Sequence, residues 1–247
     1  MIDLELIGHY APNLLDANKA FSFINFASVG SLFDRHPTSI TYFCDGMLMS
    51  TFMSRITGRT ISRVSFDFTS IADSVFSCAE KQGKRLYFVG ARQAELDLFI
   101  DKIKARYPAL IIAGHHNGYF DAAQAACIQA DICRSEANIL IVGLGAGLQE
   151  QFEQDALRAG FTGVAFTCGG FIRQEATATH HYYPELVNRL HLRAFYRMYR
   201  EPHTIKRYLI DYPTNFVQLL LMIIRRKVTI NVTYPERLDQ CTLITEQ

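Results

Sequence analysis

Short apolar runs that end on glycine or a polar pair, each followed by a helical pattern, constrain the fold of this chain more than any other feature. The clearest is Ile139-Leu-Ile-Val-Gly-Leu-Gly-Ala-Gly-Leu-Gln-Glu150, where four apolar residues lead into three alternate glycines and then two polar side chains. A run this short, closed by glycine, reads as a strand buried on both faces of a parallel sheet. The glycines, Gly145 at their centre, let the backbone turn tightly and approach a ligand where a β-carbon would collide. The carboxyl edge of the strands is where open α/β sheets bind ligands. Gln149 and Glu150 then open the next helix, aimed at the same crevice. The plain alternative is a strand-to-helix turn with no ligand.

The pattern recurs. Strand-like runs cover residues 21–26, 39–43, 85–89, 109–113, 139–142 and 163–167, and helical patterns cover 47–56, 71–82, 95–107, 122–134 and 149–159. Strands alternating with helices predict an α/β fold, a mostly parallel, Rossmann-like sheet covered by helices on both faces. From about residue 184 the chain turns helical, basic and aromatic, with one further strand pattern at 228–233. We therefore divide the chain into an α/β unit over 1–183 and a C-terminal helical appendage over 184–247.

Composition narrows the setting. Nearly half of the residues are hydrophobic and a fifth charged, which suits a folded globular protein. The net charge of +1 hides an asymmetry: nine Lys or Arg against three Asp or Glu lie between Glu185 and Lys227. Six widely spaced cysteines include no Cys-x-x-Cys pair, which argues against a zinc site and against a secreted disulfide scaffold. The acidic start, Met-Ile-Asp-Leu-Glu-Leu, does not read as a signal peptide. A reducing cytoplasmic setting is expected. The apolar stretch 216–224 is about half of the roughly 20 residues that cross a bilayer.

Four side chains near the strand ends are candidates for one pocket. Asn25 lies in the first strong strand pattern, Asp45 follows the second and precedes a glycine, Arg63 sits in Arg59-Thr-Ile-Ser-Arg-Val-Ser-Phe-Asp67, and Gln149 opens a helix. A carboxylate held at a crevice can act as general base on a hydroxyl. The plain readings are an Asp-Gly turn for Asp45, backbone satisfaction for Asn25 and an ion pair with Asp67 for Arg63. His115-His116 follows a strand pattern, but adjacent residues point to opposite faces and make a poor metal pair. His180-His181 is no better, and no metal is assigned.

In the appendage, Arg189, Arg193, Arg197 and Arg200 are spaced by four, four and three, so a helix places them on one face. Arg suits bidentate contact with phosphate oxygens. Further on, Phe216-Val-Gln-Leu-Leu-Leu-Met-Ile-Ile224 runs into Arg225-Arg226-Lys227, a basic, apolar pattern suited to the surface of anionic lipid. A buried helix with solvated charges is the alternative. No recognition motif for nucleic acid accompanies the patch.

With these motifs in hand, the chain resembles the WecG/TagA/CpsF family of bacterial glycosyltransferases over roughly residues 25–220. The resemblance rests on ordered motifs: Asp45-Gly46, Arg63-Val-Ser-Phe-Asp67, Tyr87-Phe-Val-Gly90, Gly114-His-His-Asn-Gly-Tyr-Phe120, Gly145-Ala-Gly-Leu-Gln-Glu150, Gly169-Gly-Phe171, then Leu192 through Arg197 with Glu201-Pro202. It implies an inverting transfer of a sugar from a UDP-sugar to a polyprenyl-diphosphate-linked saccharide for bacterial surface polysaccharide. The enzyme would work at the inner membrane face, without an obligatory metal or other cofactor. By motif, Asp45 is implied as catalytic base, with Asn25 and Arg63 as pocket residues, the first catalytic and the second substrate-binding. Gln149 is implied in contact with the nucleotide sugar, Gly145 and Glu150 among the substrate-binding residues, and Arg193, Arg197 and Arg200 at the lipid diphosphate. This chain differs in having Gly147 where the family usually has Pro, Phe23 where Thr is common, Ala194 where Trp is common, and Phe171-Ile-Arg-Gln-Glu-Ala in place of Phe-Asp-x-x-x-Gly. Homo-oligomerisation is left open. Two other classes compete. A nucleotide-binding oxidoreductase is opposed by Gly143-Leu-Gly-Ala-Gly, which lacks G-x-G-x-x-G spacing. A non-catalytic membrane-docking protein would show no UDP-sugar turnover.

Overall fold

The computed structural model describes residues 2–35, 39–178, 196, 198–199 and 204–236. Eight strands form one sheet: β1 (Ile2–Ile7), β2 (Ala20–Ile24), β3 (Ile40–Cys44), β4 (Arg85–Gly90), β5 (Ile111–His116), β6 (Ile139–Gly143), β7 (Val164–Thr167) and β8 (Val228–Thr233). Their order across the sheet is β5-β4-β6-β7-β2-β3-β1-β8. Every strand pairing among the described residues is parallel. The expected Rossmann-like α/β class is therefore observed, with a sheet that is wholly rather than mostly parallel.

Alternate strand residues feed two cores, as a sheet buried on both faces requires. Phe21, Phe43, Phe88, Ile141 and Phe166 point to one side, where they meet α3 (Ala72–Gln82), α4 (Gln93–Arg106) and α7 (Phe171–Thr177). Ile24, Tyr42, Val89, Leu140 and Ala165 point to the other, under α2 (Met47–Thr57), α5 (Ala122–Arg134) and α6 (Leu148–Arg158). The first core is aromatic: Phe21 stacks on Phe166 at 5.5 Å and lies 5.6 Å from Phe43. A short helix, α1 (Gly30–Arg35), precedes β3.

The first and last described strands meet in the sheet. β1 pairs with β8 from Ile2 opposite Val228 to Ile7 opposite Thr233, so the last strand pattern in the sequence forms an edge beside the first strand. Before β8, a π-helical stretch (Arg207–Asp211) runs into α8 (Tyr212–Ile224). Helix α8 lies on the sheet's second face. Leu219 is buried there, and Phe216 meets the rings of Phe26 at 5.4 Å and Phe52 at 5.3 Å. Its Asn215 donates to the Phe26 carbonyl at 2.8 Å and so fastens the turn after β2.

Three local details depart from the sequence reading. β1 was not anticipated. β2 ends at Ile24, so Asn25 stands just past the strand rather than within it. β5 runs from Ile111 to His116, shifted along the chain so that both histidines belong to the strand. A register shift between Leu86 and Tyr87 of neighbouring β4 accompanies that change.

Candidate active site

A cleft of about 2130 Å³ opens over the carboxyl ends of the central strands. Ile24 pairs with Cys44 in register, so the next residues of the two chains, Asn25 and Asp45, emerge side by side at its floor. The Asn25 carboxamide is held at both ends. Its Oδ1 accepts from the amides of Ala27 at 2.9 Å and Ser28 at 3.1 Å, which directs Nδ2 to donate to Asp45 Oδ2 at 3.2 Å. Asp45 lines the cleft and is partly exposed, with its other oxygen, Oδ1, on the side of Arg63. An isolated bridge between Cys44 and Arg63 lays the segment carrying Arg63 against the end of β3. The guanidinium stands 4.0 Å from Asp45 Oδ1 and 3.6 Å from Asp67, and donates to Ser65 Oγ at 2.5 Å. The expected Asp67 pairing is thus real, but Arg63 faces Asp45 as well.

The structure adds Arg207, which the sequence reading did not single out. It lines the cleft and donates to Asn25 Oδ1 at 3.4 Å, while its buried Nε has no partner among the described residues. In sequence it is one of nine Lys or Arg between Glu185 and Lys227, and nothing in its local pattern marks it. Its position comes from the π-helical turn that leads into α8.

The glycine turn after β6 forms the neighbouring wall. A β-carbon on Gly143 would lie 2.8 Å from the Gly169 carbonyl oxygen, so the two turns pack backbone to backbone. Gly145 lines the cleft with φ +85° and accepts the Gln149 amide at 3.1 Å. Gln149 also lines the cleft, 5% exposed, with Nε2 donating to Glu150 and Oε1 without a partner among the described residues. Glu150 is different: it turns away from the cleft, under α6. Its carboxylate accepts from the Gly147 amide at 2.6 Å and from Ser22 Oγ at 2.7 Å. The helix begins with an inward face at this position, which places Glu150 against the sheet.

His116 hydrogen-bonds the Asn117 carbonyl at 2.8 Å and its ring meets Phe120, while His115 faces Asp97 at 3.7 Å. Arg189, Arg193, Arg197 and Arg200 lie outside the described residues, as does His180-His181; Met198, which is described, lines the cleft. Among the described residues no group of three or more His, Cys, Asp or Glu is arranged to hold a metal ion. No described helix is long and apolar enough to cross a membrane. Cys44 beside Asp45 is buried, which pushes its thiol up to about 12 and leaves it uncharged at neutral pH.

A sequence profile of the Glycosyl transferase WecG/TagA/CpsF family matches residues 33–229, four-fifths of the chain and nearly all of the cleft. The chain belongs to that family. Two relatives show how far the likeness extends. One, from Shigella boydii, is named UDP-Gal:alpha-D-GlcNAc-diphosphoundecaprenol beta-1,4-galactosyltransferase; it is 30% identical over 178 residues, 72% of this chain and 75% of that protein. The other, from Bacillus subtilis (strain 168), is named N-acetylglucosaminyldiphosphoundecaprenol N-acetyl-beta-D-mannosaminyltransferase; it is 27% identical over 166 residues, 64% of this chain and 60% of that protein. Gly147 has φ +85°, a value closed to proline, whose ring holds φ near −65°.

Proposed function

We propose that this glycosyltransferase moves a sugar from a UDP-sugar to a saccharide on a polyprenyl diphosphate, with inversion at the anomeric carbon. The observation that carries the reading is the Asp45 carboxylate at the end of β3, oriented by Asn25 and flanked by Arg63 and Arg207 in an open cleft. An acceptor hydroxyl attacks the anomeric carbon as its proton passes to Asp45. The bond between that carbon and the β-phosphate oxygen breaks, and UDP leaves with the electron pair. Arg63 and Arg207 supply positive charge at the reacting end, where diphosphate charge on donor and acceptor must be met. Gly145 and Gln149 line the donor side. Glu150 acts from behind it. Arg193, Arg197 and Arg200 are assigned to the lipid diphosphate. No step in this scheme calls on a metal.

The relatives' names support an acceptor built on undecaprenyl diphosphate. Such a lipid requires the protein to work at the membrane surface. Helix α8 suits that task, with Val217, Leu221 and Ile224 exposed and Arg225-Arg226-Lys227 at its end. We assign residues 1–183 to donor binding and catalysis, residues 184–247 to the acceptor and the membrane, and the site of action to the inner face of the cell membrane. The test is Asp45→Asn assayed with UDP-galactose and other UDP-sugars on a GlcNAc-diphosphate lipid. Turnover should fall by about 10²–10⁴-fold while UDP binding persists. Unchanged turnover removes Asp45 from the role of base.

A further inference from the structure

A line of polar side chains lies between α6 and the sheet, and its hydrogens run one way. Thr167 on β7, Ser22 on β2 and Tyr42 on β3 stand on adjacent strands, facing Glu150 and Glu153 of the helix. The Glu150 carboxylate takes three hydrogen bonds, with Ser22 Oγ and Gln149 Nε2 on Oε1 and the Gly147 amide on Oε2. Ser22 owns one hydroxyl hydrogen, and Glu150 holds it. The 2.9 Å contact between Ser22 Oγ and Thr167 Oγ1 therefore has Thr167 as donor. The Gln149 carboxamide is fixed by the same carboxylate, because turning it over would set its carbonyl oxygen against a Glu150 oxygen 3.2 Å away. Gln149 and Thr167 both line the cleft and are only 5% and 1% exposed. Thr167 is left with the remaining lone pair of Oγ1, and Gln149 with an Oε1 that has no partner among the described residues and the second hydrogen of Nε2.

We propose that Glu150 is a positioning residue that sets this polarity, and that Gln149 Oε1 and Thr167 Oγ1 together receive a ring hydroxyl of the nucleotide-sugar donor. The inference rests on the glycosyltransferase reading above and deepens it. Phosphate oxygens, acceptors themselves, gain nothing from these two oxygens; the cations stand elsewhere, Arg63 by Asp45 and Arg207 by Asn25. The group that fits is a hydroxyl, from either the glycosyl or the ribosyl ring. Glu150→Gln would offer an NH₂ to both neighbours. Gln149 and the Ser22–Thr167 pair would then reverse, showing donors to the cleft.

The experiment is calorimetric titration of wild type, Glu150→Gln and Thr167→Val with UDP and UDP-galactose. Singly deoxygenated analogues of each ring are titrated in the same series. In wild type, loss of one hydroxyl should weaken binding about tenfold or more, since a buried acceptor is left unsatisfied. Whether the sensitive analogue is galactosyl or ribosyl names the ring. In Glu150→Gln that penalty should collapse, because the polarity that rewards the hydroxyl has gone. A merely structural role would weaken every ligand alike and keep the penalty. An unchanged penalty in Glu150→Gln, or no sensitive hydroxyl in wild type, overturns the proposal. Should Glu150→Gln not fold, the near-isosteric Thr167→Val decides: a full wild-type penalty there overturns the shared receptor. If wild type binds neither UDP nor UDP-galactose, the glycosyltransferase reading fails first and the proposal with it.

Discussion

Replacing Glu153 by glutamine should stabilise the protein, increasingly so as pH rises. Glu153 is 0% exposed on the inner face of α6, and neither carboxyl oxygen has a partner among the described residues. Burial, with the Glu150 charge beside it, pushes its pKa well above the usual carboxylate range. The folded protein therefore keeps a proton that the unfolded chain gives up above its ordinary value of 4.5. The sign follows: the native state binds more protons, so unfolding becomes easier as pH rises, by up to about 1.4 kcal/mol per pH unit. Stability contributed by the protonated acid is full below the ordinary value and is lost as pH climbs through the raised one. Glutamine fills the same space and does not titrate. Between pH 5 and pH 7 the variant should thus gain up to about 2.7 kcal/mol on wild type, or about 5–10 °C in Tm for a chain of this size. Glu175, which burial pushes up to about 7, titrates in both proteins and cancels in the difference. Scanning calorimetry of the two proteins from pH 5 to pH 8 gives the result directly. Parallel Tm curves would refute the argument, because they would mean that Glu153 is charged in the folded state.

Two further outcomes are expected. Arg207→Ala should lower kcat/KM for transfer to the diphosphate lipid by about 10–100-fold, the loss of one charge-assisted phosphate contact, with Asn25 still held by the amides of Ala27 and Ser28; steady-state kinetics at fixed salt would show it, and an unchanged value would remove Arg207 from the site. Leu219→Ala should cost about 2–4 kcal/mol in urea unfolding, because this side chain seals α8 onto the core shared with Phe26 and Val29; a change under about 0.5 kcal/mol would mean that α8 does not dock in solution.

Local pattern went far here. Apolar runs such as residues 139–142, each closed by glycine, specified parallel strands because a strand buried on both faces has no polar alternative to offer. The helices α3 and α4 followed from their 3.6-residue stripes, and Gly83, with φ +63°, ends α3 where the pattern stops. The chain's own motifs brought Asn25, Asp45, Arg63 and Gln149 to notice, and all four line one cleft. Asp45-Gly46 could be placed at a strand end because that ending is written in the few residues around it, whereas the apolar run through Phe26 put Asn25 inside a strand that ends at Ile24.

Other features depended on partners distant in sequence. Ile2–Ile7 is a strand because Val228–Thr233 returns beside it, a pairing across more than two hundred residues that no short window contains. Arg207 belongs to the site because α8 folds back over Phe26 and brings the preceding turn to Asn25. Glu150 and Gln149 are neighbours with the same local signal, yet one lines the cleft and the other bonds Ser22 from behind it. Which of two adjacent helical residues faces a ligand depends on how the helix is rotated against the sheet. That rotation is set by the tertiary packing of α6 on β2 and β7, through contacts between residues far apart in the chain.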